Sequence, residues 1–393
     1  MSSDPVVIVA AKRTPLGAFQ GSLSGAQSPE LATTAISACI QESGTDASAI
    51  SEVLLGCVLP AGLGQAPARQ AALGAGIPLN AGCTTLNKVC GSGMKATMLA
   101  HDLIRAGSAG VVVAGGMESM TNAPYLLPKA RSGYRMGHQE VLDHMFFDGL
   151  QSPFDGNMMG HFAELTAKKY NFSREDQDKF AIESVTRARE AAASGAFKAE
   201  IAPVTLKTRK GDVTVSEDDG PTAASVEKIP TLRPAFAKDG TVTAASSSSI
   251  SDGAAALILM GAAEAARLGL KPLATIAGHA GFAHAPEWFT TAPVFAIKAL
   301  HEKLGWDPGH VDLYEINEAF ACVTMAAIND LGLDHARVNV NGGACALGHP
   351  IGASGARIIV TLLHALRARK LKRGIASLCI GGGEATAIAL EIE

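Results

Sequence analysis

Apolar residues fall in short runs broken by glycine-rich turns, with few long amphipathic stripes. Residues 5–11 read as a buried strand, Val6-Val7-Ile8-Val9-Ala10, followed by a basic turn at Lys12-Arg13-Thr14-Pro15. A helical stretch at 29–43 and a strand at 52–58 come next. Small apolar strands alternating with helices predict an α/β protein whose parallel sheet is covered on both faces.

An internal repeat organises the chain. In the first half, Ile50-Ser51-Glu52-Val53-Leu54-Leu55-Gly56 leads to Cys90-Gly91-Ser92-Gly93-Met94-Lys95-Ala96, then to Val111-Val112-Val113-Ala114-Gly115-Gly116-Met117-Glu118. In the second, His310-Val311-Asp312-Leu313-Tyr314-Glu315 leads to Gly352-Ala353-Ser354-Gly355-Ala356-Arg357, then to Ser377-Leu378-Cys379-Ile380-Gly381-Gly382-Gly383-Glu384. Both run strand, Gly-Ser helix start, helix, strand, Gly-Gly-x-Glu. Two related α/β halves are expected: residues 1–120, completed by about 250–270, and residues 271–393. Between them, 121–249 changes texture, with Pro124, Pro128 and Pro153, mixed charges at 129–135 and an acidic turn at 217–220. That segment reads as an inserted loop domain. Its one convincing helix is 173–194, with Ser173 as N-cap, Asp176 closing the cap, and Phe180 and Val185 as core contacts.

Composition narrows the class. Hydrophobic residues make up 47% of the 393 and charged residues 18%, which is ample for a large core and excludes a disordered chain. The net charge of −4, without runs of one sign, argues against a nucleic-acid partner. No apolar stretch nears the roughly 20 residues that span a bilayer, so no membrane partner is expected. Met1-Ser2-Ser3-Asp4-Pro5 lacks a secretory pattern. The seven cysteines form no CxxC pair, which argues against a disulfide framework or a zinc site. A cytoplasmic protein with no metal is expected.

Four positions are candidates for chemistry. Cys90 sits where a strand-like approach at 85–89 meets Gly91-Ser92-Gly93 and a helix with apolar or small residues at Ala96, Leu99, Leu103 and Ala106. Unpaired N–H groups and the dipole at a helix start favour thiolate; the competing reading is a core cysteine at a tight turn. Asn317, between a strand at 311–316 and a helix beginning Glu318-Ala319-Phe320, is either an N-cap or a group holding a water. His349, held between Gly348 and Pro350 in a glycine loop, is either structural or poised for a site. Cys379 ends a strand at 375–378 before three glycines. It is either packed core or, with the Gly381 N–H, part of an oxyanion site. Cys39, Cys57 and Cys322 read as packing residues and Cys345 has no assigned role. The serines at 246–249 read as a flexible polar loop, alternatively as hydroxyls contacting a ligand amide.

Taken together, Asn87-Lys88-Val89-Cys90-Gly91-Ser92-Gly93-Met94-Lys95-Ala96, Asn317-Glu318-Ala319-Phe320-Ala321, Gly348-His349-Pro350-Ile351-Gly352-Ala353-Ser354-Gly355 and Cys379-Ile380-Gly381-Gly382-Gly383 resemble the thiolases, and among them the acetyl-CoA acetyltransferases. The resemblance implies duplicated βαβαβαββ halves layered α/β/α/β/α, with an inserted loop domain and assembly as a homotetramer. It implies a reversible Claisen condensation of two acetyl-CoA to acetoacetyl-CoA and CoA, with the thioesters as substrates and no cofactor. By position it makes Cys90 the acyl-carrying nucleophile, His349 its base and Cys379 the second acid/base. Asn317 holds a water in an oxyanion hole with His349, and the N–H groups of Cys90 and Gly381 form the other. Ser248, Leu150, Met159, Ala319 and Phe320 match positions lining the coenzyme A and acyl pocket.

The chain departs from that family's pattern at several places. Met158 replaces a His before Met159-Gly160, Asp218-Asp219-Gly220-Pro221-Thr222 lacks an adenine-facing Arg, a serine run stands at 246–249, and Glu384 follows the last glycines. Competing readings are a degradative 3-ketoacyl-CoA thiolase of broader chain length, a β-ketoacyl synthase, and a thiol-bearing scaffold without turnover. The second cysteine in Cys379-Ile380-Gly381-Gly382-Gly383 argues against the synthase. The expectation to be met is that two sulfurs distant in the chain converge across a pseudo-twofold seam beside an imidazole.

Overall fold

The computed structural model describes residues 4–392, so the first three residues of the segment read above for a secretory pattern lie outside it. Its main sheet divides into two half-sheets of the same topology. In the first, the spatial order is Gly82–Leu86, Ile50–Gly56, Val111–Ser119, Ser251–Gly261, Val6–Arg13. In the second, Leu313–Ile316, Arg373–Ile380, Glu384–Glu391 and Ala274–Ala283 repeat the last four places. Val338, bridged in parallel to Tyr314, marks the position equivalent to Gly82–Leu86. Among the described residues, the half-sheets are joined as strands where Val7 and Ile8 pair with Thr275 and Ala274.

The sheet is mixed, which corrects the expectation of a parallel one. Ile50–Gly56 is parallel to both neighbours, and Leu313–Ile316 is parallel to Arg373–Ile380, but the other pairings are antiparallel. The register gives the reason. Ile380 pairs with Glu384 across Gly381-Gly382-Gly383, so the second half turns back through three glycines. Ser119 pairs with Asp252, so the first half makes the same reversal with the whole loop domain spliced into the turn. Gly383 must be glycine in the short version: its φ is +97°, and an added Cβ would collide with His284 O.

Burial of both faces explains the unalternating apolar runs. Val6–Arg13, Val111–Ser119 and Ser251–Gly261 are buried along their whole length. Val7, Val53, Val113 and Ile258 face the helix Ser28–Ser43 in one core. Ile8, Leu54, Val112 and Leu257 face a second core shared with Leu378 and Ile388 of the other half-sheet. In that second core lie two helices, Ser92–Arg105 and Ile351–Arg369. A third core packs Ile375 and Ala387 against Ala292–Leu304 and the end of Ala321–Leu331. The result is five layers, α/β/α/β/α.

The central layer accounts for two further corrections. Ile351–Arg369 is long and apolar enough to cross a membrane, contrary to the expectation that no stretch nears that length, but most of it is buried between the half-sheets. In Ser92–Arg105 the buried apolar side chains are Met94, Ala96, Met98, Ala100 and Ile104, while Leu99 and, just past the helix, Ala106 are exposed. A helix covered from several sides does not follow a one-stripe pattern.

The insertion carries the expected helix, Arg174–Ser194. Ser173 Oγ accepts from Asp176 N–H, Asp176 answers at Ser173 N–H, and Phe180 and Val185 are buried. The insertion also carries a second helix that the sequence reading missed, Met159–Tyr170, and short helices, small hairpins and turns fill the rest. The serine run is not a free loop. Ser246 and Ser247 are buried, and both hydroxyls are hydrogen bonded to Thr243. Asp218 also serves the fold, taking both Nη atoms of buried Arg13 at 2.7 and 2.9 Å.

Candidate active site

The repeat places two glycine turns and two helix starts at one end of the sheets, where a cavity of about 360 Å³ opens. Cys90 enters through a strained turn. Val89 has φ +46°, a conformation that costs a β-branched residue of order 1–3 kcal/mol. Ser92 Oγ holds it, accepting from Lys88 N–H at 2.8 Å and donating to Val89 O at 2.7 Å. Helix Ser92–Arg105 begins at once, leaving Cys90 at its head.

The second sulfur comes from the other half. Cys379 lies in the strand Arg373–Ile380, fully buried beside Phe320 and Phe162. Gly91 sits against Ile380 so closely that an added Cβ would strike the Ile380 side chain. Lys88 and Glu384 close the same seam with an ion pair. The Gly381 N–H reaches the Cys90 sulfur.

Burial pushes the Cys90 thiol up to about 11, although the N–H groups of Gly381 and Cys90 itself pull it down. Burial, reinforced by nearby Cys90, pushes Cys379 well above the ordinary thiol range. Burial thus works against the thiolate that the helix start favours at Cys90.

His349 is a neutral base with its lone pair open. Ser354 Oγ lies 2.9 Å from Pro350 O and 2.6 Å from His349 Nδ1. With its hydrogen on the carbonyl it accepts from Nδ1–H, the tautomer that leaves Nε2 as the base. Nε2 is buried without a partner, and the side chain lies in the cavity wall. Burial, then Arg357, pushes this imidazole down to about 3.

Asn317 does not cap a helix, contrary to one reading of the sequence. Ala319 and Phe320 instead run extended against the serine segment, with Ser248 N–H on Ala319 O at 3.0 Å and a bridge from Ser247 to Phe320. The helix starts only at Ala321. Asn317 Oδ1 faces Arg357 Nη2 at 3.4 Å, and Nδ2 is buried without a partner. A buried donor so left calls for a water or a substrate oxygen.

Of the residues predicted from sequence, Cys90, His349, Gly381, Ser248, Leu150, Met159, Ala319 and Phe320 share the cavity wall. Asn317 and Cys379 are buried and do not line it. Several residues were missed. Ser354 sets the imidazole tautomer, and Arg357, the lone cation in the apolar run 351–366, touches Asn317. Glu118 accepts from Val58, Leu59 and Gly352 N–H at 2.9–3.1 Å, tying the wall of one half to the His349 helix of the other. Its place in the Gly-Gly-x-Glu repeat was the available signal. Phe236, also unforeseen, lines the cavity edge-on to Phe320 at 5.9 Å, in space that Gly160 leaves free.

Duplicated halves that together make five layers, with two thiols and an open imidazole at their seam, define a centre for cysteine-based acyl transfer. The chain belongs to the thiolase family: residues 6–263 match the thiolase N-terminal domain and residues 270–392 the thiolase C-terminal domain. It is 51% identical over 387 residues to an acetyl-CoA acetyltransferase of Pseudomonas aeruginosa, covering 98% of each chain. It is 50% identical to acetyl-CoA acetyltransferase 1 of Arabidopsis thaliana, covering 98% of this chain and 94% of the relative. The crystal structure of the Bacillus anthracis acetyl-CoA acetyltransferase superposes with a TM-score of 0.97 at 42% identity, covering 99% of each chain.

Proposed function

We propose that the protein is an acetyl-CoA C-acetyltransferase, joining two acetyl-CoA into acetoacetyl-CoA and CoA through an acetyl-Cys90 intermediate. The observation that carries this reading is the neighbouring pair Cys90 and Cys379, with the Gly381 N–H on Cys90 and the unpartnered Nε2 of His349 in the same site.

The cycle balances with these groups alone. Cys90 Sγ attacks the first thioester while His349 Nε2 takes its proton. The N–H groups of Cys90 and Gly381 receive the developing oxyanion, and Cys379 protonates the departing CoA sulfur. Cys379, now a thiolate, removes a proton from the methyl of the second acetyl-CoA. The burial that raises its pKa makes it the strong base so weak a C–H acid requires. The enolate oxygen is held by protonated Nε2 and by a water on Asn317 Nδ2. Its carbon attacks acetyl-Cys90, and the proton on His349 returns to the Cys90 sulfur. A positioned base contributes about 10²–10⁴-fold and each oxyanion donor about 10²–10³-fold.

The wall supports a short acyl group. Met159, Phe236, Phe320 and Leu150 make it apolar, and Met158 adds a thioether where a polar side chain was expected. Assembly as a homotetramer and a cytoplasmic location are part of the same proposal. Purified protein should condense acetyl-CoA and cleave acetoacetyl-CoA, with kcat/KM falling as the 3-ketoacyl chain lengthens. Equal rates across the series would favour a degradative thiolase, and a requirement for a malonyl donor would favour a synthase.

A further inference from the structure

At the far end of the Cys90 helix, roughly 15 Å along Ser92–Arg105 at 1.5 Å per residue, a second cluster joins the two halves. His101 Nδ1 and His279 Nε2 approach one oxygen, Asp102 Oδ1, at 3.1 and 2.9 Å, and all three atoms lie within 4.8 Å of one another. The rings stand edge to face, with centroids 5.0 Å apart at 89°. His101 and Asp102 come from the central helix, and His279 from the strand Ala274–Ala283 of the second half-sheet.

We propose that His101, Asp102 and His279 form a binding site for a divalent transition metal of the zinc class, tying the two halves together. Given those separations, a point equidistant from the three atoms is at most about 2.5 Å from each, and zinc bonds to imidazole and carboxylate are about 2.0–2.2 Å. Shifts of a few tenths of an ångström make the site. Two imidazoles and one carboxylate suit zinc, nickel, copper or cobalt better than magnesium or calcium, which prefer oxygen.

The histidine side chains are 16% and 12% exposed and the aspartate 52%, so the nitrogens are held while solvent reaches the open coordination position. The Lys303 ammonium, bonded to His279 O at 3.0 Å, is the nearby positive charge that the ion must tolerate. The site lies outside the catalytic seam, so its occupation acts on stability and leaves turnover alone.

Cobalt(II) titration of the intact, full-length protein tests this. One equivalent per chain should bind with the visible bands of a nitrogen and oxygen ligand set and raise the unfolding temperature. His101→Ala and His279→Ala should each weaken binding by at least about 10-fold and cancel that rise. Asp102→Asn, which keeps the side chain's shape, should weaken binding similarly, and metal-free His279→Ala should retain wild-type turnover. The proposal is overturned if cobalt fails to bind, binds equally well to His279→Ala, or shows only thiolate charge-transfer absorption, which would place it on a cysteine.

Discussion

Gly93 and Gly355 are paired across the pseudo-twofold seam, each against the backbone of the other's helix. A Cβ on Gly93 would lie 2.8 Å from Ala356 N, and one on Gly355 would strike Met94 N. These are equivalent positions of the repeat, one in the helix behind Cys90 and one in the helix behind His349. Their contact sets how closely the nucleophile and base approach.

Gly355→Ala should therefore cost both stability and activity. Overpacking against backbone costs about 1–3 kcal/mol, and the helices can relieve it only by separating. Denaturant unfolding should show that loss, and kcat should fall with it. Unchanged stability would mean that the helices slide without penalty.

Ser354→Ala removes the acceptor that fixes the His349 proton on Nδ1. The variant should fold and bind substrate with KM little changed. It should lose part of the roughly 10²–10⁴-fold that a positioned base supplies, because the ring can then carry its proton on Nε2. A wild-type kcat would show that another group orients the imidazole.

The resting thiol also makes a pH prediction. With Cys90 pushed up to about 11 and His349 down to about 3, the free enzyme holds a neutral thiol beside a neutral imidazole across the physiological range. Raising the pH deprotonates Cys90 only near that upper value, so its alkylation by iodoacetamide should climb steadily through pH 9–10. Lowering the pH should not protonate His349 until well below 5. A plateau in alkylation at neutral pH would reveal a preformed thiolate–imidazolium pair.

The repeat was legible because matching strands and Gly-Ser helix starts recur in order, and it led to Cys90, His349 and Cys379. Much of the remainder depended on contacts between distant segments. The hairpin relation between Ser119 and Asp252 is hidden by the long insertion between them. Asn317 looked like a cap because the pairing of Ala319 with Ser248 cannot be read locally. The serines at 246–249 looked flexible because burial beside Thr243 leaves no trace in composition. Leu99 was placed on the buried face because periodicity assumes one covered side. Ser354, Arg357 and Glu118 act through other groups, and their residue types alone point to no chemistry.

The most direct measurement is the mass of each intact enzyme after brief mixing with acetyl-CoA, followed by peptide mapping and an assay for acetoacetyl-CoA. Wild type should carry one acetyl group on Cys90, and Cys90→Ala none. Cys379→Ser should still be acetylated at Cys90 while making almost no acetoacetyl-CoA. Acetyl label on Cys90→Ala, or wild-type condensation by Cys379→Ser, would contradict the division of labour between the two sulfurs.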